Sequence, residues 1–261
     1  MRYELLGPLR VCATDGRVLT LSAPKAEVTL ALLLLSEGRV VTKEQLTTEL
    51  WGERPPRSAS AAIHVYISQL RKFLADAGAG DPGCPAITTT ASGYRFQRGG
   101  ASYDAEEFTA AVRAGRARQA AGRPAAALES FELALALYRG SVLDGHGDGP
   151  VVSSFAAWAE EERLTCLELA IEARTTLGQH REVIGLLGGL TAEYPLRESF
   201  YRQLMLVLYR AERRAEALEV YSSARRVLRS ELGLEPHRSL RRLHQAILSA
   251  DRLLDHQPLA S

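Results

Sequence analysis

Little in these 261 residues points to catalysis, metal chemistry or a membrane. Cysteine is scarce: Cys12, Cys84 and Cys166 are odd in number and far apart. No CxxC pair or Cys/His ligand spacing occurs, which argues against a disulfide framework or a zinc site and fits a reducing compartment. No run approaches the roughly 18 apolar residues of a membrane span. The opening MRYELLGPLRV has Glu4, Gly7, Pro8 and Arg10 where a signal peptide needs an apolar core. The expected location is therefore the cytoplasm. GxxxxGK[ST], GxSxG and HExxH are absent, so no enzyme and no cofactor is expected. The stretch Asp144-Gly-His146-Gly-Asp148-Gly has the look of a calcium loop, yet Phe155 stands where a bidentate Glu should close it. It reads as a flexible Gly-rich connection, and no metal site is expected. Neither sign of charge dominates the chain, but the halves differ. Residues 1–100 hold 12 Lys and Arg against 9 Asp and Glu, and the remainder 20 against 22. A nucleic-acid face on the first half is permitted by this balance, not required by it.

Residues 2–13 alternate, meet a turn at Asp15-Gly16 and continue to Leu21, which predicts an N-terminal hairpin. Pro24 opens a helix through the run Leu30 to Leu35, with Gly38 past its end. Val40-Val41 is briefly extended. Thr42 then caps KEQLTTELWG, with Gln45 three residues on as in a capping box. Pro55 and Pro56 make ERPPR non-helical. Ser58 or Ser60 caps the next helix, SASAAIHVYISQLRKFLADAG.

This last helix is the most informative part of the chain. Ile63, Ile67, Leu70 and Leu74 are spaced 4, 3 and 4 and share one face. Ala61, Val65, Ser68, Gln69 and Lys72 lie opposite, with His64 and Arg71 on a flank. Such a face offers hydrogen-bonding groups to base edges, cations to phosphates and a methyl to thymine. The bland alternative is a solvated surface. A loop from Gly78 to Pro85 leads to a hairpin, AITTTASGYRFQ, so the layout is a recognition helix followed by a β-wing.

With its ISxLRK core and terminal GYRF, this first segment resembles the OmpR/PhoB-type winged helix. After Gly100 strands vanish, and helices are expected near 105–121, 124–138, 151–177, 181–194, 196–211, 214–232 and 239–248. Glu182, Val183 and Leu187 align with Glu216, Ala217 and Tyr221 at an offset of 34, the tetratricopeptide period. Trp158 and the aromatics at 131, 138, 201, 209 and 221 recur at helical spacing and read as core. The run from Tyr194 to Pro236, closing in ELGLEP, resembles the bacterial transcriptional activator domain. The whole chain is thus similar to the Streptomyces antibiotic regulatory protein family. The expected fold is an α+β winged helix-turn-helix over residues 1–100, followed by an all-α tetratricopeptide-like domain over 101–261.

The resemblance implies a DNA-binding transcriptional activator of a secondary-metabolite cluster. It implies promoter DNA with direct repeats, RNA polymerase and sigma factor as partners, and a homodimer on DNA. The expected DNA-binding residues are Ser60, Ala61, His64, Val65, Ser68, Gln69, Arg71 and Lys72 on the helix. Thr88, Thr90, Tyr94 and Arg95 are expected to do the same on the wing. Gln69 stands where members commonly carry Arg, and Arg71 is placed against phosphate. Glu53, Arg54 and Arg57 form the candidate polymerase contact, although Pro55-Pro56 could equally serve only to set the turn. The alternative is a helical-repeat adaptor whose winged domain binds protein instead of DNA.

Overall fold

The computed structural model describes residues 1–78, 83–251 and 254, so part of the loop from Gly78 to Pro85 lies outside the described residues. The chain forms two compact units. One comprises Met1–Val112 with Leu133–Leu164; the other comprises Arg113–Glu132 with the chain from Thr165 onward. The elements follow in this order: β1 (Arg2–Glu4), β2 (Arg10–Cys12), β3 (Val18–Leu19), α1 (Pro24–Leu35), β4 (Val40–Thr42), α2 (Lys43–Trp51), α3 (Ala59–Ala77), β5 (Ala86–Thr89), β6 (Gly93–Gln97) and β7 (Ser102–Tyr103). Then come α4 (Asp104–Ala120), α5 (Pro124–Leu135), a 3-10 turn (Val142–Gly145), α6 (Pro150–Thr176), α7 (His180–Glu193), α8 (Glu198–Arg210), α9 (Arg214–Leu232) and α10 (Arg238–Leu248).

In the first unit the alternating stretch 2–13 is itself a hairpin, β1 with β2, instead of one strand. The chain reverses at Gly7-Pro8, where Gly7 takes a φ of +145° that a side chain would resist. β3 extends the sheet, and β7 pairs in parallel with β1, so strands do not end at Gly100. The second sheet has the order β4-β6-β5. Gly93 lets β6 close on β4, since a Cβ there would stand 2.0 Å from the Val41 carbonyl oxygen.

α1 is buried almost all round, as its Leu run demands, and forms the centre of the unit. Ile63, Ile67, Leu70 and Leu74 of α3 pack on it, together with Val41, Leu46, Ile87 and Phe96. Tyr3 meets Phe96 edge-on at 5.7 Å and stacks on Tyr103 at 5.6 Å. The capping box of α2 is complete: the Thr42 hydroxyl accepts the Gln45 N–H, and the Gln45 side chain accepts the Thr42 N–H. The cap expected on α3 is not made: Ser58 precedes the helix without a side-chain bond. The chain enters instead through a backbone turn, with the Ala59 N–H donating to the Pro56 carbonyl at 3.0 Å.

Residues beyond 100 complete this core. Asp104, fully buried, accepts the N–H groups of Leu5 and Leu6 at 2.8 and 2.9 Å. Leu143 and Val152 join the hydrophobic cluster. Glu49 of α2 is 5% exposed and accepts the Val151 and Val152 N–H groups at 3.0 and 2.8 Å, capping α6. Gly149 is pressed against that carboxylate: a Cβ would lie 2.3 Å from its Cδ. The Gly-rich stretch 144–149, expected to be a flexible connection, is therefore anchored at both ends by burial of Leu143 and Glu49. Trp158, expected in the core, is 39% exposed and leans on Phe155 at 5.4 Å. It sits on the solvent side of an amphipathic helix, where spacing alone misled.

The second unit stacks α7, α8 and α9 in succession, with α10 against α8 and α9. Phe131, Cys166, Val183, Leu187, Phe200, Met205, Ala217 and Ile247 are buried there. The 34-residue offset appears in the helix ends at Gly178 and Glu212, and the same end recurs at other spacings. At Gly122, Gly178, Glu212 and Ala250 the backbone turns left-handed. Each donates to the carbonyl three residues back, and its successor donates to the one five back from itself. These are four copies of one Schellman end.

Candidate nucleic-acid interface

α3 spans 19 residues, about 28 Å at 1.5 Å per residue. Its apolar stripe is consumed by the core, so what remains for a partner is the opposite face. Ser60, Ala61, His64, Val65, Ser68, Gln69, Arg71 and Lys72 are all exposed. Val65, at 52%, is a bare apolar group amid polar ones. This helical surface is lined by an amide, hydroxyls, an imidazole and cations, groups that can hydrogen-bond base edges and phosphates where a helix enters a major groove.

The wing stands beside it. β5 and β6 pair in the register Ile87 to Phe96, Thr88 to Arg95 and Thr89 to Tyr94. The Thr90 N–H closes the turn on the Gly93 carbonyl at 2.9 Å. Arg95 is exposed, and Thr88 is half-buried with its hydroxyl against the Arg95 carbonyl at 3.4 Å. Two expected DNA contacts are corrected. Tyr94 is 4% exposed, its ring part of the core, because alternation along β6 turns it inward with Phe96. Thr90 is half-buried, and its hydroxyl oxygen is shielded from solvent.

Arg71 is exposed, yet its Nε donates to the Ile87 carbonyl at 2.9 Å and its Nη2 to the Thr89 hydroxyl at 2.7 Å. Burial pushes the Tyr94 phenol pKa up, and the Arg71 cation partly offsets this. α3 and β5 are therefore joined by one guanidinium, a link between residues 16 and 18 positions apart in sequence.

Comparison with known proteins bears on what this arrangement serves. The model described as "Transcriptional regulatory protein, C terminal" matches residues 16–96, and "Bacterial transcriptional activator domain" matches 103–248. The regulatory protein DnrI of Streptomyces peucetius is 34% identical over 258 residues, covering 98% of this chain and 94% of DnrI. The chain belongs to the Streptomyces antibiotic regulatory protein family of transcriptional regulators. The regulatory protein AfsR of Streptomyces coelicolor is 40% identical over 97% of this chain, which spans only 25% of AfsR. The structure of Mycobacterium tuberculosis EmbR in complex with a low-affinity phosphopeptide superposes with a TM-score of 0.84 at 34% identity. It matches 95% of this chain and 65% of the EmbR chain.

Within this family fold, the segment between α2 and α3 forms an exposed loop. Gly52 to Arg57, including Glu53, Arg54 and Arg57, all face solvent. Among the described residues, no group of three His, Cys, Asp or Glu side chains could hold a metal ion, and no helix is long and apolar enough to cross a membrane.

Proposed function

We propose that this family member is a sequence-specific DNA-binding activator, with α3 lying in a major groove and the wing tracking the neighbouring backbone. The observation that carries this reading is the exposure of the whole polar face of α3 above a face wholly spent on the core. Ser60, Ala61, His64, Val65, Ser68, Gln69 and Lys72 are its groove residues; Thr88 and Arg95 are its wing contacts. Two protomers sit head to tail on direct repeats, a heterologous arrangement, in promoters of a secondary-metabolite cluster. The exposed loop with Glu53, Arg54 and Arg57 then meets RNA polymerase or its sigma factor. Pro55 and Pro56 limit the entropy that this docking would cost.

Gln69 is the sharpest test, because its amide suits adenine N6 and N7. Gln69→Ala is expected to weaken the best site by about 1–3 kcal/mol and relax one base position. Binding of the full chain to a panel of single-base site variants measures this. An unchanged profile would remove Gln69 from the interface. Replacing Glu53 and Arg54 together by Ala is expected to spare binding and abolish transcription in a reconstituted assay; equal loss of both would assign the loop to the fold alone.

A further inference from the structure

We propose that Arg71 is a positioning residue that sets the wing against the recognition helix and acts on DNA through the wing. This rests on the DNA-binding reading given above. β5 and β6 are short, four and five residues; β6 is held by β4 and by Tyr94 and Phe96 in the core, whereas β5 reaches the core through Ile87 alone. β4 covers the β6 side, whereas β5 is the edge of its sheet. Arg71 serves that edge from outside, by the bonds of 2.9 Å to the Ile87 carbonyl and 2.7 Å to the Thr89 hydroxyl.

The geometry uses Nε and Nη2, the two donors along one side of the guanidinium plane. A carboxylate or phosphate would be clasped in bidentate fashion by that same side. With it committed to β5, Arg71 holds two elements in register. The tie spans 16 and 18 residues of sequence and connects the C-terminal half of the groove-reading helix to the strand that carries Thr88. A lysine keeps the charge but has no planar fork, so the tie distinguishes Arg from Lys where a simple phosphate contact would not.

The test uses the full chain and a promoter duplex that the wild-type protein protects. Two lost hydrogen bonds to a charged group predict that Arg71→Ala and Arg71→Lys each weaken binding by about tenfold. Thr89→Val, which removes one of the two bonds, is expected to weaken binding by a smaller factor. In an Arg95→Ala background, where the wing already contacts DNA poorly, Arg71→Ala should add less than about twofold and leave the salt slope unchanged. In the free protein, hydrogen exchange at Ile87 to Thr89 should accelerate in Arg71→Ala, with exchange in α1 unchanged. Additive losses with a further fall of about one in the salt slope, or rescue by Lys, would overturn the proposal in favour of a direct phosphate contact. Unchanged exchange in β5 would overturn it as well. If the wild-type chain bound no DNA, the DNA-binding reading would fall by itself, and the exchange data would still decide whether the tie exists.

Discussion

Glu49→Ala probes how the start of α6 is held on α2 within the first unit. The wild-type carboxylate is buried and accepts two backbone N–H groups at 3.0 and 2.8 Å, at the first turn of α6. Removing a helix cap costs about 1 kcal/mol, up to about 2. Hydrogen bonds to a charged group contribute about 1.5–3 kcal/mol each, and stranding the freed N–H groups beside a buried void adds to the loss. Water reaching the site recovers part of it, so the net expectation is about 3 kcal/mol. At roughly 2–4 °C per kcal/mol for a unit of this size, Tm falls by roughly 6–12 °C. The assay is simple, because both tryptophans, Trp51 and Trp158, belong to the first unit. Urea unfolding of the full chain followed by tryptophan fluorescence therefore reports that unit. Glu49→Gln keeps one acceptor and should lose about half as much. A Glu49→Ala protein within about 0.5 kcal/mol of wild type would refute the reasoning. It would mean that Leu143 and Val152 hold α6 without the cap.

Two other outcomes follow from burial and backbone shape. Burial raises the pKa of Glu27 above the ordinary glutamate value, opposed by the Leu9 N–H and by His146 and reinforced by Asp144. A raised folded pKa means that the folded state holds the proton more tightly, so its contribution to stability is lost as pH rises from the ordinary value toward the raised one. Glu27→Gln does not titrate there, so its Tm relative to wild type should climb as pH rises above the ordinary glutamate value and level off once the raised folded value is passed; a flat or falling difference would contradict this. Glu212 occupies a left-handed helix end at φ +62°, where the equivalent Gly178 sits at +78°. Glu212→Gly is expected to stabilise the second unit by about 1 kcal/mol in calorimetry, and a lower Tm would count against it.

Much of the helical framework was legible because long amphipathic segments carry a period. The Ile63, Ile67, Leu70 and Leu74 stripe, the Thr42–Gln45 box and the left-handed breaks at Gly122 and Gly178 all act within a few residues of themselves. What the sequence hid depends on partners far away. β7 is two residues long, too short for any alternation, and is a strand only because β1 lies beside it. Glu49 reads as one more charge on a helix until Val151 and Val152 arrive to use it. Tyr94 looks like an exposed wing residue beside a run of hydroxyls, and only the hairpin register turns it inward. Arg71 shares the exposed face of α3 with residues aimed at DNA, and its attachment to Ile87 and Thr89 could not be read from spacing. At the interface, the helix face was readable from periodicity and the wing only in outline.

In the proposed function α3 reads promoter DNA from a major groove. A methylation-protection footprint of the full chain on a cognate promoter, repeated with RNA polymerase present, tests it most directly. Guanine N7 faces the major groove, so protection should appear in two like-oriented segments separated by whole helical turns. Gln69→Ala should weaken both segments, and added polymerase should extend protection on one side. Protection confined to minor-groove positions, or no protected segment at concentrations that saturate binding, would contradict the account.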